Sequence, residues 1–159
     1  MHVEGKFLCV DQERLFVKGV TYGTFRPDLN GDEFPDPPLV EQDFESMAAI
    51  NVNTVRTYTV PPRWLLDVAW SHGLRVMVGI PTERYLGYVL DGSDAPDIEV
   101  KVRDGVLQCA EHPALLCVSI GNEYPTASVR WLGRRKTEEF LYRLYRTAKA
   151  AAPGTLITY

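Results

Sequence analysis

From residue 39 onward the chain alternates between apolar positions spaced three and four apart and short runs that are apolar almost without interruption. The first spacing marks one face of an α-helix, and the second a strand buried on both sides. Val40, Phe44, Met47 and Ala48 form the first helical face, and residues 53–58 read as the strand that follows. Pro61 and Pro62 end that strand and open a helix carrying Leu65, Val68 and Ala69 inward. Gly73 stands where a helix C-terminal glycine belongs. Residues 74–80 form a strand broken only by Arg75 and Gly79. Pro96 and Asp97 start a helix with Ile98, Val102, Val106 and Cys109 on one face, and residues 115–120 form the next apolar strand. A helix over about 136–151 turns Leu141, Leu144, Tyr145 and Ala148 inward, Pro153 and Gly154 stop it, and residues 155–159 begin one more strand.

Ahead of this rhythm, residues 7–10 and 15–22 are β-prone runs separated by Asp11, Gln12, Glu13 and Arg14. They read as a hairpin whose second arm continues into the first main strand. Residues 23–38 hold four prolines, two glycines and four acidic groups with no periodicity. A loop of that length inside a compact domain is usually functional or disordered. A second long loop is expected over 81–95, and a third irregular stretch around Trp131.

The order is strand then helix, four times over, then a strand. That order means a parallel sheet covered by helices. Two architectures satisfy it, an open doubly wound sheet and a (β/α)₈ TIM barrel. No glycine-rich phosphate loop follows the first strand, which speaks against a nucleotide-binding doubly wound fold. A full barrel takes ~250 residues. The 159 residues are therefore expected to be a single partial domain spanning 1–159, a fragment of a longer chain. It would supply the N-terminal half of the barrel, strands one to five, preceded by a short β-hairpin.

Composition narrows the partners. The net charge is −4 with both signs interspersed, so no basic surface for nucleic acid is expected. The one local basic cluster, Arg134, Arg135 and Lys136, reads as a solvated helix face. No apolar run is long enough to span a bilayer, and the first residues lack the pattern of a signal peptide. Cys9, Cys109 and Cys117 are too few, and odd in number, for a disulfide framework. His2, His72 and His112 show no metal-ligand spacing, and no metal or cofactor is expected. These features suit a cytoplasmic or cytoplasm-facing location.

In either architecture ligands bind at the carboxyl ends of the strands. Strand one ends at Thr21-Tyr22-Gly23 and strand two at Arg56-Thr57-Tyr58. Strand three leads to Glu83, Arg84 and Tyr85, and strand four ends at Gly121-Asn122-Glu123-Tyr124. One rim gathers acids, a permanent cation, an amide and aromatic rings. Aromatic faces pack on the C–H faces of sugars, while carboxylates, amides and guanidinium groups hydrogen-bond the hydroxyls.

Residues 53–58, the strand 74–80 and above all Gly121-Asn122-Glu123 resemble the clan A glycoside hydrolases. The nearest likenesses are the family 2 barrel and the β-1,3-glucan-active families 17 and 72, which share an arginine ending strand two and an Asn-Glu pair ending strand four. Residues 19–25, 55–61 and 112–115 further resemble a bacterial group in which such a barrel precedes a glycosyltransferase domain. The resemblance implies a retaining mechanism on β-linked glycosidic bonds. Glu123 would be the general acid/base, Asn122 would hold the sugar 2-hydroxyl, and Arg56 would lie beneath a nucleophilic carboxylate. That nucleophile belongs to strand seven, outside this chain. Tyr22, Tyr58, Glu83, Tyr85 and Trp131 are candidate substrate contacts. The implied partners are an oligo- or polysaccharide, the remaining half of the barrel and a glycosyltransferase domain in cis. The chain departs from family 2 after Arg56. Thr57-Tyr58-Thr59-Val60-Pro61 has no histidine, and Trp70-Ser71-His72-Gly73 replaces an acidic residue, which argues against β-galactosidase-like specificity.

Plainer readings stand beside these. Glu123 would be a loop carboxylate, Arg56 the partner of a buried acid, and the rim tyrosines and Trp131 loop or rim packing. Trp64 and Trp70 fall within a helix and read as packing, and His72 and His112 as helix-end residues. Two other functions compete: a non-catalytic carbohydrate-binding barrel attached to a polysaccharide glycosyltransferase, and an unrelated small doubly wound domain.

Overall fold

The computed structural model describes residues 1–29, 31, 33–90 and 98–159. Two sheets form. Strands β1 (His2–Glu4), β2 (Phe7–Val10) and β3 (Glu13–Leu15) make a small antiparallel sheet in the order β1-β2-β3. Strands β4 (Gly19–Thr21), β5 (Thr54–Thr57), β6 (Arg75–Gly79), β7 (Leu115–Ser119) and β8 (Ile157–Thr158) make a five-stranded sheet in chain order. Every pairing in the larger sheet is parallel. The helices between them are α1 (Pro37–Ala49), α2 (Arg63–Ser71), α3 (Leu86–Leu90), α4 (Ile98–Cys109), α5 (Thr126–Leu132) and α6 (Arg134–Ala151).

Register divides the large sheet into two faces. Val55, Val76, Val78 and Val118 are fully buried against the helices, with Val40, Phe44, Leu65, Leu66, Val102, Val106 and Leu144 packed over them. On the opposite face Thr21, Arg56, Met77 and Cys117 stand in one row across β4 to β7. That row lines a concave, mostly apolar cavity of about 560 Å³, closed at one side by Val3 and Leu8 of the small sheet. Strands unreordered, with helices on one face only, are the geometry of consecutive barrel strands, not of a doubly wound sheet. β4 to β8 are thus barrel strands one to five.

Four details differ from the sequence expectation. The N-terminal hairpin gains a third strand, β1, whose three residues are all exposed and carry no apolar alternation. The run 15–22 is not one arm, since β3 ends at Leu15 and β4 begins at Gly19. The loop after β6 contains a 3₁₀ turn, Thr82–Tyr85, and then α3. The stretch around Trp131 is the helix α5, of which only Leu132 is buried, so it shows no apolar stripe. The expected helix start at Pro96 and Asp97, and the loop residues 91–95, lie outside the described residues. α4 buries Ile98, Val102, Val106 and Cys109, as the spacing requires.

Candidate active site at the carboxyl rim

The rim is organised by the turn that follows β7. Gly121 is glycine for want of space: a Cβ there would lie 2.9 Å from the Tyr159 ring and 3.1 Å from the Thr82 hydroxyl. The Thr82 hydroxyl donates to the Ile120 carbonyl at 2.7 Å and meets the Tyr124 hydroxyl at 2.8 Å. The Asn122 amide donates to Glu83 Oε2 at 3.2 Å, and the Tyr124 amide to the Tyr159 hydroxyl at 3.2 Å. Ser119 donates to the Gly121 carbonyl at 2.8 Å. The turn is therefore pinned from barrel strand three on one side and barrel strand five on the other. Burial pushes the Tyr124 phenol well above its usual range, against the Thr82 hydrogen bond, so it acts here as a neutral hydroxyl.

Within this turn Glu123 adopts φ +36°. A non-glycine residue in the left-handed region costs roughly 1–2 kcal/mol. Strain of this kind persists only where the surroundings over-determine it, and it clusters at working sites. Glu123 is exposed, and its carboxylate has no hydrogen-bond or ion-pair partner among the described residues.

Arg56 rises from the inner face of β5 and reaches across β6 to Asn122. Its Nη2 donates to Asn122 Oδ1 at 2.5 Å, and its guanidinium lies 5.2 Å from the Tyr58 ring centre. Its Nε is buried and has no partner among the described residues. Farther along the same row, beyond Met77, stands Cys117, whose thiol burial pushes up to about 11, the Arg56 charge working the other way. Cys117 is therefore a neutral thiol at neutral pH rather than a nucleophile. Strands two and three also approach each other closely. At Gly79 a Cβ would fall 2.6 Å from the Thr57 carbonyl and 2.7 Å from that of Tyr58.

The structure thus brings together Arg56, Asn122, Tyr58 and Glu83 around the turn that carries Glu123. It separates others. Tyr22 is buried, donates to Asp43 Oδ2 at 2.7 Å and packs edge-on against Phe25 and Phe44. Burial, then the Asp43 bond and charge, raise its phenol far above the usual range. That hydroxyl anchors strand one to α1. Tyr85 is likewise engaged elsewhere, its hydroxyl accepting from Lys101 and its ring 4.8 Å from that ammonium. Trp131 is 83% exposed on α5. Glu83 binds the Asn122 backbone, a positioning contact.

Three participants escaped the sequence reading. Thr82 and Asp43 gave no signal, because each acts through a contact distant in sequence. Tyr159 could have been found, since it follows β8 at the same rim. His112 and His72 take structural roles. Buried His112 bridges Asp67 and the Ala114 amide, and His72 meets Glu41 at 2.8 Å. Among the described residues no three His, Cys, Asp or Glu side chains gather as metal ligands, and no helix is long and apolar enough to cross a membrane. Arg134 and Arg135 pair with Glu138 and Glu139 one helical turn away, a solvated face.

No protein-family profile and no curated protein sequence matches the chain. Solved structures do. A β-glucuronidase from Faecalibacterium prausnitzii matches with TM-score 0.75 at 18% identity, over 99% of this chain and 27% of that one. A β-glucuronidase from Bifidobacterium dentium, complexed with coumarin-3-O-glucuronide, matches with TM-score 0.75 at 17% identity, over 99% of this chain and 25% of that one. A GH5_18 protein from Streptomyces cattleya, in complex with GlcNAc, matches with TM-score 0.57 at 20% identity, over 77% of this chain and 38% of that one. The chain spans about a quarter of the length of the β-glucuronidases. Its fold is that of the N-terminal part of a glycoside hydrolase TIM barrel.

Proposed function

We propose that the chain is the acid/base-bearing half of a retaining β-glycosidase or transglycosidase. The observation that carries this reading is Arg56: one guanidinium nitrogen holds Asn122, the neighbour of Glu123, while a buried second nitrogen is left without an acceptor. A buried donor without a partner costs about 1–3 kcal/mol, so an acceptor is called for there. A carboxylate from a later barrel strand would satisfy it and be kept ionised by the guanidinium.

In the first step that carboxylate attacks the anomeric carbon while Glu123 gives its proton to the departing glycosidic oxygen. In the second, ionised Glu123 takes a proton from water or a sugar hydroxyl, which attacks the glycosyl-enzyme carbon and releases the nucleophile. The two carboxyl groups must stand roughly 5–5.5 Å apart for this outcome. Asn122, aligned by Arg56, would hold the 2-hydroxyl.

The test is an assay of the intact natural protein on β-glycosides, with the anomer of the first product read by NMR. Retained configuration, abolished by Glu123→Gln with natural leaving groups, supports the reading. Inverted product overturns the mechanism. Oligosaccharide binding with no turnover of any β-glycoside overturns catalysis, in favour of a non-catalytic barrel serving a glycosyltransferase.

A further inference from the structure

We propose that a rim pocket adjoining Arg56 is a second sugar subsite, so that the protein engages a β-linked oligosaccharide rather than a single terminal sugar. The proposal rests on the reading of Glu123 just given and extends its substrate class.

The pocket is a cavity of about 240 Å³ lying between the loop after β4, the end of β5 and the 3₁₀ turn after β6. Phe25, Phe34 and Tyr58 give it aromatic walls, and Glu33 and Arg84 supply an acceptor and a donor. Tyr22 also lines it, held rigid by its bond to Asp43 and its edge-on contact with Phe25 at 4.9 Å. Sites for drug-sized molecules run from ~300 Å³ upward, so this one suits a single ring.

The lining matches a pyranose better than other ring ligands. A pyranose has apolar C–H faces and a perimeter of hydroxyls that both donate and accept. Aromatic walls suit the faces. Arg84 can only donate and ionised Glu33 can only accept, so together they read a hydroxyl from both sides. Neither has an ion-pair or hydrogen-bond partner among the described residues, so their capacity is open to a ligand. A phosphate or sulfate group would meet the Glu33 carboxylate in the same small cavity, which disfavours an anion.

Continuity with the candidate active site comes through Tyr58. Its ring is a wall of the pocket and also lies against the Arg56 guanidinium, which in turn holds Asn122. Through Tyr58 and Arg56 the pocket is linked to the turn that carries Glu123, and the proposal places the second sugar there along one glycan. The long aperiodic loop supplies Phe25, Glu33 and Phe34, which gives that loop its purpose.

The experiment uses the intact protein carrying Glu123→Gln, so that binding is read without turnover. Its probe is an array of β-linked gluco-, galacto-, xylo- and glucurono-oligosaccharides of one to six units. We expect binding to oligosaccharides and at least tenfold weaker binding to the matching monosaccharide. Arg84→Ala and Glu33→Ala should each remove most of that difference, a loss of ~10-fold or more for a hydrogen bond to a charged group. Arg84 is exposed, so its variant should fold, and an unchanged melting temperature checks this. Monosaccharide bound as tightly as oligosaccharide, unchanged binding in both variants, or no binding across the array would overturn the subsite. Chain-length-dependent binding that needs Arg84 and Glu33, in a protein whose wild type hydrolyses nothing, would leave the pocket standing and remove the catalytic reading alone.

Discussion

The two ends of the parallel sheet carry similar side chains and treat them differently. At the amino end, Asn53 is fully engaged: its Oδ1 accepts from the Lys18 amide and its Nδ2 donates to the Phe16 carbonyl, both at 2.8 Å. Arg75 donates to the Pro113 carbonyl and covers the Trp70 ring at 4.7 Å. Asp67 is held by His112 at 3.0 Å. At the carboxyl end, Asn122 spends its Oδ1 on Arg56 alone, Arg56 keeps a buried nitrogen unpaired, and Glu123 has no partner among the described residues. Buried polar groups in folded proteins are ordinarily satisfied. One end of the sheet is finished as structure, and the other is left with capacity for a ligand. The barrel rule that chemistry sits at the carboxyl face is visible as this difference in satisfaction, side chain by side chain.

The sharpest way to break the comparison is to remove the matching arginines. Arg56→Ala in the intact protein should lower kcat about 10²–10³-fold, the usual cost of losing a preorganised donor. Arg75→Ala should leave kcat unchanged and lower only the unfolding midpoint. Equal kinetic effects would erase the distinction between the ends.

Gly79→Ala probes the close approach of strands two and three. A Cβ would press on two backbone carbonyls, which cannot swing aside, so a loss of about 1–3 kcal/mol is expected by denaturant titration. His112→Ala tests the amino end alone. It strands the Ala114 amide, whose acceptor is His112 Nδ1, and should cost about 1–3 kcal/mol without touching substrate affinity.

The smallest effect is the most instructive in sign. Glu123→Gly should relieve the left-handed strain and raise stability by ~1 kcal/mol. Activity should fall at the same time. A destabilised variant would mean that the Glu123 side chain makes a structural contribution.

Much of the fold could be read from the sequence because its strands are buried on one face by helices of regular apolar period. Val55, Val76, Val78 and Val118 announce themselves in that way. β1 and α5 escaped because their residues are mostly exposed, and an exposed element leaves no apolar pattern. The positions of Arg56, Asn122 and Glu123 at strand ends were legible, since a strand's end fixes a residue's height on the barrel. Side-chain direction was not. Tyr22 turns to Asp43 and Tyr85 to Lys101, through contacts set by packing that lies 21 and 16 residues away.

The central claim is that Glu123 donates and then accepts the proton. Its most direct test is Glu123→Ala in the intact protein, assayed on two β-glycosides that differ only in leaving group, with and without azide. A natural sugar leaving group needs the proton, so its cleavage should collapse. An activated aryl leaving group does not, so its glycosylation step should survive, and azide should restore turnover by replacing the base-activated water. Equal loss on both substrates, or no loss on either, would contradict the account.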